Sequence, residues 1–423
     1  MAITAATTML QRRAESWSFA DQAIVSGFSF LCHVIMARTQ VPGEYGLYAI
    51  AMGVILFANS LHAALVTYPL LITCPGNPTV QIQRVKNESL GATLTVGLPM
   101  ATVAMIAAAL MGRPLLGVLV AFALVAWQLQ ETFRRALMAE MRYKQAILGD
   151  LVIFGGQAAF IAAAALWNKL SVEVAFGGLA LSAISAAGLH AIGDGTRIPG
   201  LPASLTRLKL FWPLAKWVLL SNLVSALSLQ GLVWALALCH GPAAAAGFQA
   251  IANIMNAGNP IILGIGNVLV PAVSARRALG DVAGALRTAW QMAVSGAIPI
   301  GIFYVCVICM PETVLSLVYG SLSAYAGMVL PLRLLAVAYF AFYPAQVLNG
   351  VLSSLVDTRA AFSSQVAGAM AFFVIGFPAI WAFGLLGAVV AFGAANGFRT
   401  ASSIWGLSAY PSMIQRAPAM SSP

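Results

Sequence analysis

The sequence predicts an all-α, polytopic membrane protein with about twelve transmembrane helices, and three observations carry that prediction. Of 423 residues, 61% are hydrophobic and only 8% charged, whereas a soluble domain is about half apolar and about a quarter charged. Mean hydropathy is +0.89. Uncharged runs recur along the chain at close to the ~20 apolar residues that one helical span requires. A chain so poor in charge cannot cover a water-facing surface, which excludes a disordered protein, a secreted disulfide scaffold and a soluble enzyme. The formal net charge of +10, from 22 Lys and Arg against 12 Asp and Glu, reads as cytoplasmic loops facing anionic headgroups and not as a nucleic-acid surface. Cys32, Cys74, Cys239, Cys306 and Cys309 are odd in number and sit mostly in apolar runs, so no disulfide framework is expected.

Taken in order, the N-terminal stretch to Gln22 carries Arg12 and Arg13 without a compact apolar core and cleavage site, and reads as a cytoplasmic lead-in. Apolar runs then place spans near 18–37, 45–72, 89–111, 115–136, 147–167, 172–192, 211–239, 246–273, 288–310, 327–355, 361–383 and 386–409. Lys and Arg fall on alternate connections. One side collects Arg84, Lys86, Arg134, Arg135, Arg142, Lys144, Arg207, Lys209, Arg276, Arg277 and Arg359, while the other holds only Arg38, Arg113 and Lys169. Short basic loops resist translocation, so both termini are expected in the cytoplasm. The longest connection, 193–210, is rich in Gly and Pro and ends in basic residues before Trp212 and Trp217. It reads as a cytoplasmic linker with an interfacial elbow, dividing a six-helix lobe over 1–192 from a second over 211–423.

The two halves carry similar turns. Pro42, Gly46, Tyr48 and Pro69 in the first are matched by Pro242, Gly247, Phe248 and Pro271 in the second. Six spans return the chain to its starting side, so this describes a parallel repeat about an axis along the membrane normal. At these residues the chain resembles the multidrug/oligosaccharidyl-lipid/polysaccharide (MOP) flippase superfamily, and within it the Wzx-type polysaccharide branch. The resemblance is carried by Ala37-Arg38 with Val41-Pro42-Gly43-Glu44-Tyr45-Gly46-Leu47-Tyr48, by Gly241-Pro242 to Phe248 with Val270-Pro271-Ala272-Val273-Ser274, and by Leu332-Arg333-Leu334-Leu335-Ala336 with Asp357-Thr358-Arg359. Arg134-Arg135 with Arg142-Tyr143 is a weaker match. It implies two lobes flanking a central cavity that opens alternately to each side, and transport of undecaprenyl-diphosphate-linked glycans across the bacterial inner membrane. The charged cluster at the first span that marks the lipid II branch is not found.

Intramembrane ionisable residues are expensive and usually face a cavity or a partner. Arg399, within the last span, and Arg333, in the tenth, are therefore the cations expected to meet a diphosphate; the competing role is snorkelling to headgroups. Asp21, His62 and His33 are the candidates for ion or proton coupling, with helix capping or pairing to Arg12 or Arg13 the alternative for Asp21. Carboxamides on Asn59, Asn222, Gln230, Asn253, Asn256 and Asn267 are candidates for binding sugar hydroxyls, the alternative being interhelical hydrogen bonds. No metal motif, cofactor fingerprint or catalytic constellation is expected, and glycine pairs inside spans read as packing sites.

The function expected from these features is a flippase for lipid-linked oligosaccharide in polysaccharide biosynthesis, working beside polymerisation and export partners. Two alternatives stand beside it. An ion-coupled drug or cation antiporter of the same fold should show a deep acidic residue, and Asp21 lies near the span's edge. A membrane-embedded glycan polymerase or acyltransferase should carry catalytic groups on a large outer loop, and the outer loops here are short.

Overall fold

The computed structural model describes residues 2–74, 79–192, 196–355 and 358–408, with the side chains of 2–20, 79–80, 267, 278 and 358–359 outside that description. The described residues are almost entirely helical. In chain order the helices are α1 (Ala2–Thr39), α2 (Pro42–Thr73), α3 (Thr79–Leu110), α4 (Pro114–Ala139), α5 (Tyr143–Leu166), α6 (Val172–Ala191) and α7 (Leu201–His240). They continue as α8 (Pro242–Asn256), α9 (Asn259–Ala278), α10 (Val282–Cys309), α11 (Pro311–Tyr319), α12 (Val329–Leu355), α13 (Thr358–Ala371) and α14 (Phe377–Ser408). Several begin with proline in the first turn, at Pro42, Pro114, Pro202, Pro260 and Pro311. There the absent N–H costs no intrahelical bond and the fixed φ suits a helix start.

Among the described residues nine helical stretches are long and apolar enough to cross a membrane, and α8 with α9 makes a tenth as a bent pair. The last of the nine, Ala360–Ser408, has 49 residues. At 1.5 Å per residue that is about 70 Å of helix, more than twice the ~30 Å hydrocarbon core. Gly384 breaks it, with φ 54° and ψ −123°, a backbone that suits glycine. Beyond the break the chain folds back on itself. A Cβ on Gly387 would lie 1.9 Å from the Ala379 carbonyl oxygen, one on Gly376 would lie 2.7 Å from the Ala391 Cβ, and one on Gly368 would lie 2.4 Å from Arg399 Cγ. These three contacts share one antiparallel register, so the stretch is a helical hairpin that crosses twice. α1, whose Cys32 and Met36 are buried, packs on α5.

The described chain forms two compact units, residues 1–253 and 254–423. In the first, α3 packs along α4, α4 along α6, and α7 along both α2 and α3. The first unit therefore takes in α7 and most of α8. The two turns that the sequence pairs as equivalent meet there: a Cβ on Gly46 would lie 1.8 Å from the Pro242 carbonyl oxygen, so only glycine allows this approach. At the same end Arg113, between α3 and α4, hydrogen-bonds Glu44 at the start of α2 and, at 3.1 Å, Glu173 at the start of α6. Glu44 foremost, then Glu173, pushes the Arg113 guanidinium still higher above its ordinary range. This clip gives one of the few cations on the poorly basic side its partners. In the second unit α12 packs against α9, α10 and α14, and α13 against α14. Leu269, Val273, Ala285, Ala289, Val351 and Leu355 form a small apolar core where α9, α10 and α12 meet.

Candidate functional site

The first unit buries a charged cluster. Arg134, on α4 and 7% exposed, donates to Asp150 on α5 at 2.5 Å, to both oxygens of Glu131 at 3.2 Å, and to Asp21 on α1. Arg135 reaches Glu131 at 2.5 Å, and Gln130 Nε2 donates to Asp150 at 3.2 Å. Asp21 and Asp150 are 2% and 1% exposed. With every group ionised, three carboxylates face two guanidinium groups, leaving a surplus negative charge in a low-dielectric interior. Such a site is completed by a proton or a cation.

Above the cluster, fully buried His62 on α2 places Nε2 3.1 Å from Thr93 Oγ1 and 3.3 Å from Thr132 Oγ1, while Nδ1 has no partner. Thr93 and Thr132 are themselves 2.7 Å apart. Gln128, also fully buried, leaves both carboxamide atoms unpaired against Gly97. Asn59 Oδ1 is buried and unpaired as well. Each such group costs about 1–3 kcal/mol if it stays dry, so these atoms form a polar seam fit for bound water.

The second unit's polar interior differs. Arg399 on α14 is 7% exposed, and donates from Nη1 to Asn396 Oδ1 at 3.2 Å and from Nη2 to Gln346 Oε1 at 3.3 Å. Both acceptors are neutral amides. Its Nε is buried without an acceptor. Gly368 on α13 leaves the room that the arginine's aliphatic stem fills. No carboxylate pairs with Arg399 among the described residues, and the sequence places no Asp or Glu anywhere in 329–355 or 358–408.

The other expected residues are held as follows. Arg333 donates from Nε to the Ile308 carbonyl at 3.0 Å, in the last turn of α10, where a cation also meets the negative end of the helix. Asn256 Oδ1 accepts from Tyr339 Oη at 2.8 Å and from Asn259 Nδ2 at 3.2 Å, and Tyr339 stacks on Phe392. Asn222 Nδ2 donates to the Ser60 carbonyl at 2.8 Å, tying α7 to α2, and Asn253 Nδ2 to the Phe30 carbonyl at 3.5 Å. Gln230 lies against Gly53, where its Oε1 would be 3.0 Å from an added Cβ. His33 Nδ1 is 3.2 Å from Tyr45 Oη. The side chain of Asn267 lies outside the described residues. Asp21 pairs with Arg134, not with Arg12 or Arg13, whose side chains also lie outside them.

Sequence reasoning placed Arg134 among loop cations and passed over Glu131 and Asp150. The signal was present: Asp150 stands at the head of the apolar run that forms α5, and a buried acid there needs a cation from a neighbouring helix. Asp21 and Asp150 are thus buried in the protein, although each stands near the end of its apolar run. Among the described residues no group of three or more His, Cys, Asp and Glu side chains is arranged to hold a metal ion. A groove of ≈ 410 Å³ along α2, α3 and α4 is lined by Ile50, Val54, Phe57, Met100, Val103 and Val120, with Arg113 the charged residue of its lining.

No family model and no curated protein matches the chain. Solved structures do. An inward-facing multidrug resistance MATE family transporter of the MOP superfamily superposes with a TM-score of 0.74 at 16% identity, over 94% of this chain and 96% of the other. The fold is that of the MOP transporters. Lipid II flippase MurJ in an inward closed conformation gives 0.73 at 10% identity, covering 95% and 88%. A MOP superfamily transporter from Pyrococcus furiosus gives 0.63 at 14% identity over 96% of both chains. Identities this low speak for the fold alone. The MOP fold makes this a multi-pass membrane protein built like known transporters and flippases.

Proposed function

We propose that this MOP-type protein is a Wzx-like flippase that moves an undecaprenyl-diphosphate-linked oligosaccharide across the bacterial inner membrane by alternating access between two six-helix lobes. One observation carries the reading: Arg399 is a buried guanidinium whose partners among the described residues are two neutral amides. A transporter for cationic drugs gains nothing from such a group, whereas a diphosphate crossing the bilayer needs a cation to offset its desolvation. Arg399 meets the diphosphate when the helices around it part. Asn59, Gln230 and Asn267 are the amides proposed for sugar hydroxyls, joined by Asn222, Asn253 and Asn256 when the helices that now hold them by hydrogen bonds part. Arg333 is a second cation toward the outer end. The protein catalyses no covalent step; its partners are the lipid-linked glycan, membrane lipids and the enzymes that polymerise and export the glycan.

A second reading, ion-coupled antiport, is favoured by the surplus carboxylate around Arg134. The two readings combine if a proton or cation completes that cluster, with Asp21 and the His62 seam beside it, while an anionic cargo moves. The test is deletion of the gene followed by analysis of lipid-linked glycans on the cytoplasmic leaflet. Accumulation of one glycan species there is the expected result. No accumulation, with a gain in sensitivity to cationic drugs, would select the antiporter instead.

A further inference from the structure

Beyond a role with cargo, we propose that Arg399 and Ser403 form a binding site for a small monovalent anion, with chloride as its occupant. Ser403 is fully buried and its Oγ has no hydrogen-bond partner; Arg399 Nε is likewise buried and unpaired. The two residues are four apart on α14, so their side chains stand one above the other on one helix face, with Cβ atoms about 5–6 Å apart. An ion accepting from the Nε–H and from the Ser403 hydroxyl satisfies two orphaned donors together.

The surroundings specify the charge. Gln346 from α12, Gly368 from α13 and Asn396 from α14 enclose the guanidinium without supplying a negative group. Further along the same polar face, Ser364 of α13 donates to Asn349 Oδ1 of α12 at 3.3 Å, again without a charge. The second unit's acids lie elsewhere. Asp281 caps α10 and pairs with Arg276, and Glu312 stands in the first turn of α11. Asp357 lies outside the described residues, and α13 begins at Thr358, about 15 Å along the helix from Gly368 at 1.5 Å per residue. A cation this deeply buried with no carboxylate on its three enclosing helices takes its counter-charge from solution.

Size follows from the same contacts. Two terminal nitrogens are already engaged and the side chain is 93% buried, so Nε and the Ser403 hydroxyl are the donor atoms left with no partner at all. That suits a compact ion of single charge better than a phosphodiester with four oxygens. The site shares its arginine with the transport reading, but the experiment below reads binding without transport, so either can fail alone.

The purified full chain is unfolded thermally at equal ionic strength while chloride replaces gluconate, with inorganic diphosphate titrated in a parallel series. In the wild type, chloride raises the melting temperature along a saturable curve. Arg399→Gln abolishes the shift. Ser403→Ala weakens apparent chloride affinity by about tenfold, the loss of one charge-assisted hydrogen bond. Absence of a chloride-specific shift in the wild type, or the same shift in Arg399→Gln, overturns the proposal. Stabilisation by diphosphate with none by chloride also overturns it, in favour of a site kept for cargo. Should Arg399→Gln fail to fold, Ser403→Ala decides alone, since an unchanged chloride midpoint there is contradictory.

Discussion

Arg134 and Arg399 are equally buried, at 7% exposure each, yet one is held by three carboxylates and the other by two amides. Burial alone therefore says little about what an intramembrane arginine does. Arg134 joins α1, α4 and α5, and the three carboxylates it holds outnumber the two guanidinium groups of that cluster. Arg399 sits among α12, α13 and α14, where no carboxylate pairs with it among the described residues. The first arrangement is a clasp of unequal charge. The second is where the proposed function receives an anion.

That contrast predicts opposite responses to loss of charge. Arg134→Gln should have the largest effect on folding, because it removes the cation that Asp21, Glu131 and Asp150 share and leaves Glu131 its bond to Arg135. Breaking one side of a buried ion pair costs about 3–5 kcal/mol, and the expected outcome is a sharp fall in membrane-inserted protein, measured by fluorescence-detected chromatography of detergent extracts. Normal yield and melting temperature would show that the acids are already neutralised by other means, and would break the comparison at its first term.

Gly368→Ala should have an intermediate effect. The added methyl would lie 2.4 Å from Arg399 Cγ and 3.0 Å from the Ala395 carbonyl oxygen, so the arginine must shift. Overpacking of this kind costs about 1–3 kcal/mol. A moderate drop in melting temperature together with loss of the chloride response is expected; a full chloride response would show that the guanidinium position does not matter.

Arg333→Gln should have the smallest effect. It removes a cation from the last turn of α10, worth about 0.3–1 kcal/mol, and leaves a side chain that still donates to a carbonyl. A change of a few degrees at most in thermal unfolding is expected. A collapse in transport per inserted molecule would place Arg333 beside Arg399 as a second cargo contact.

Much of the fold was legible because lipid removes most alternatives: apolar runs of the right length, separated by alternating basic loops, leave little choice but a helical bundle. The hairpin at Gly384 was legible for the same reason, since a helix of that length cannot remain in the bilayer. Arg399 stood out because it interrupts an uncharged run. Arg134 did not, because a pair of arginines at the end of a span is also what a cytoplasmic loop looks like. Only the placement of Asp21 and Asp150 against it, from helices 113 and 16 residues away in sequence, separates the two cases. The asparagines were visible but their partners were not: Asn222 and Asn253 spend their donors on carbonyls of other helices, which residue type and spacing cannot foretell.

The central claim is that the uncompensated cation of the second unit serves an anionic cargo. It is tested most directly by glycan export normalised to membrane-inserted protein for Arg399→Gln and Arg399→Lys. The account predicts at least about a tenfold loss for glutamine, equivalent to about 1.4 kcal/mol or more, with undiminished insertion because a buried charge has been removed. Lysine keeps the charge but loses the planar fork, and should retain part of the activity. Normal export per molecule in Arg399→Gln would contradict the account.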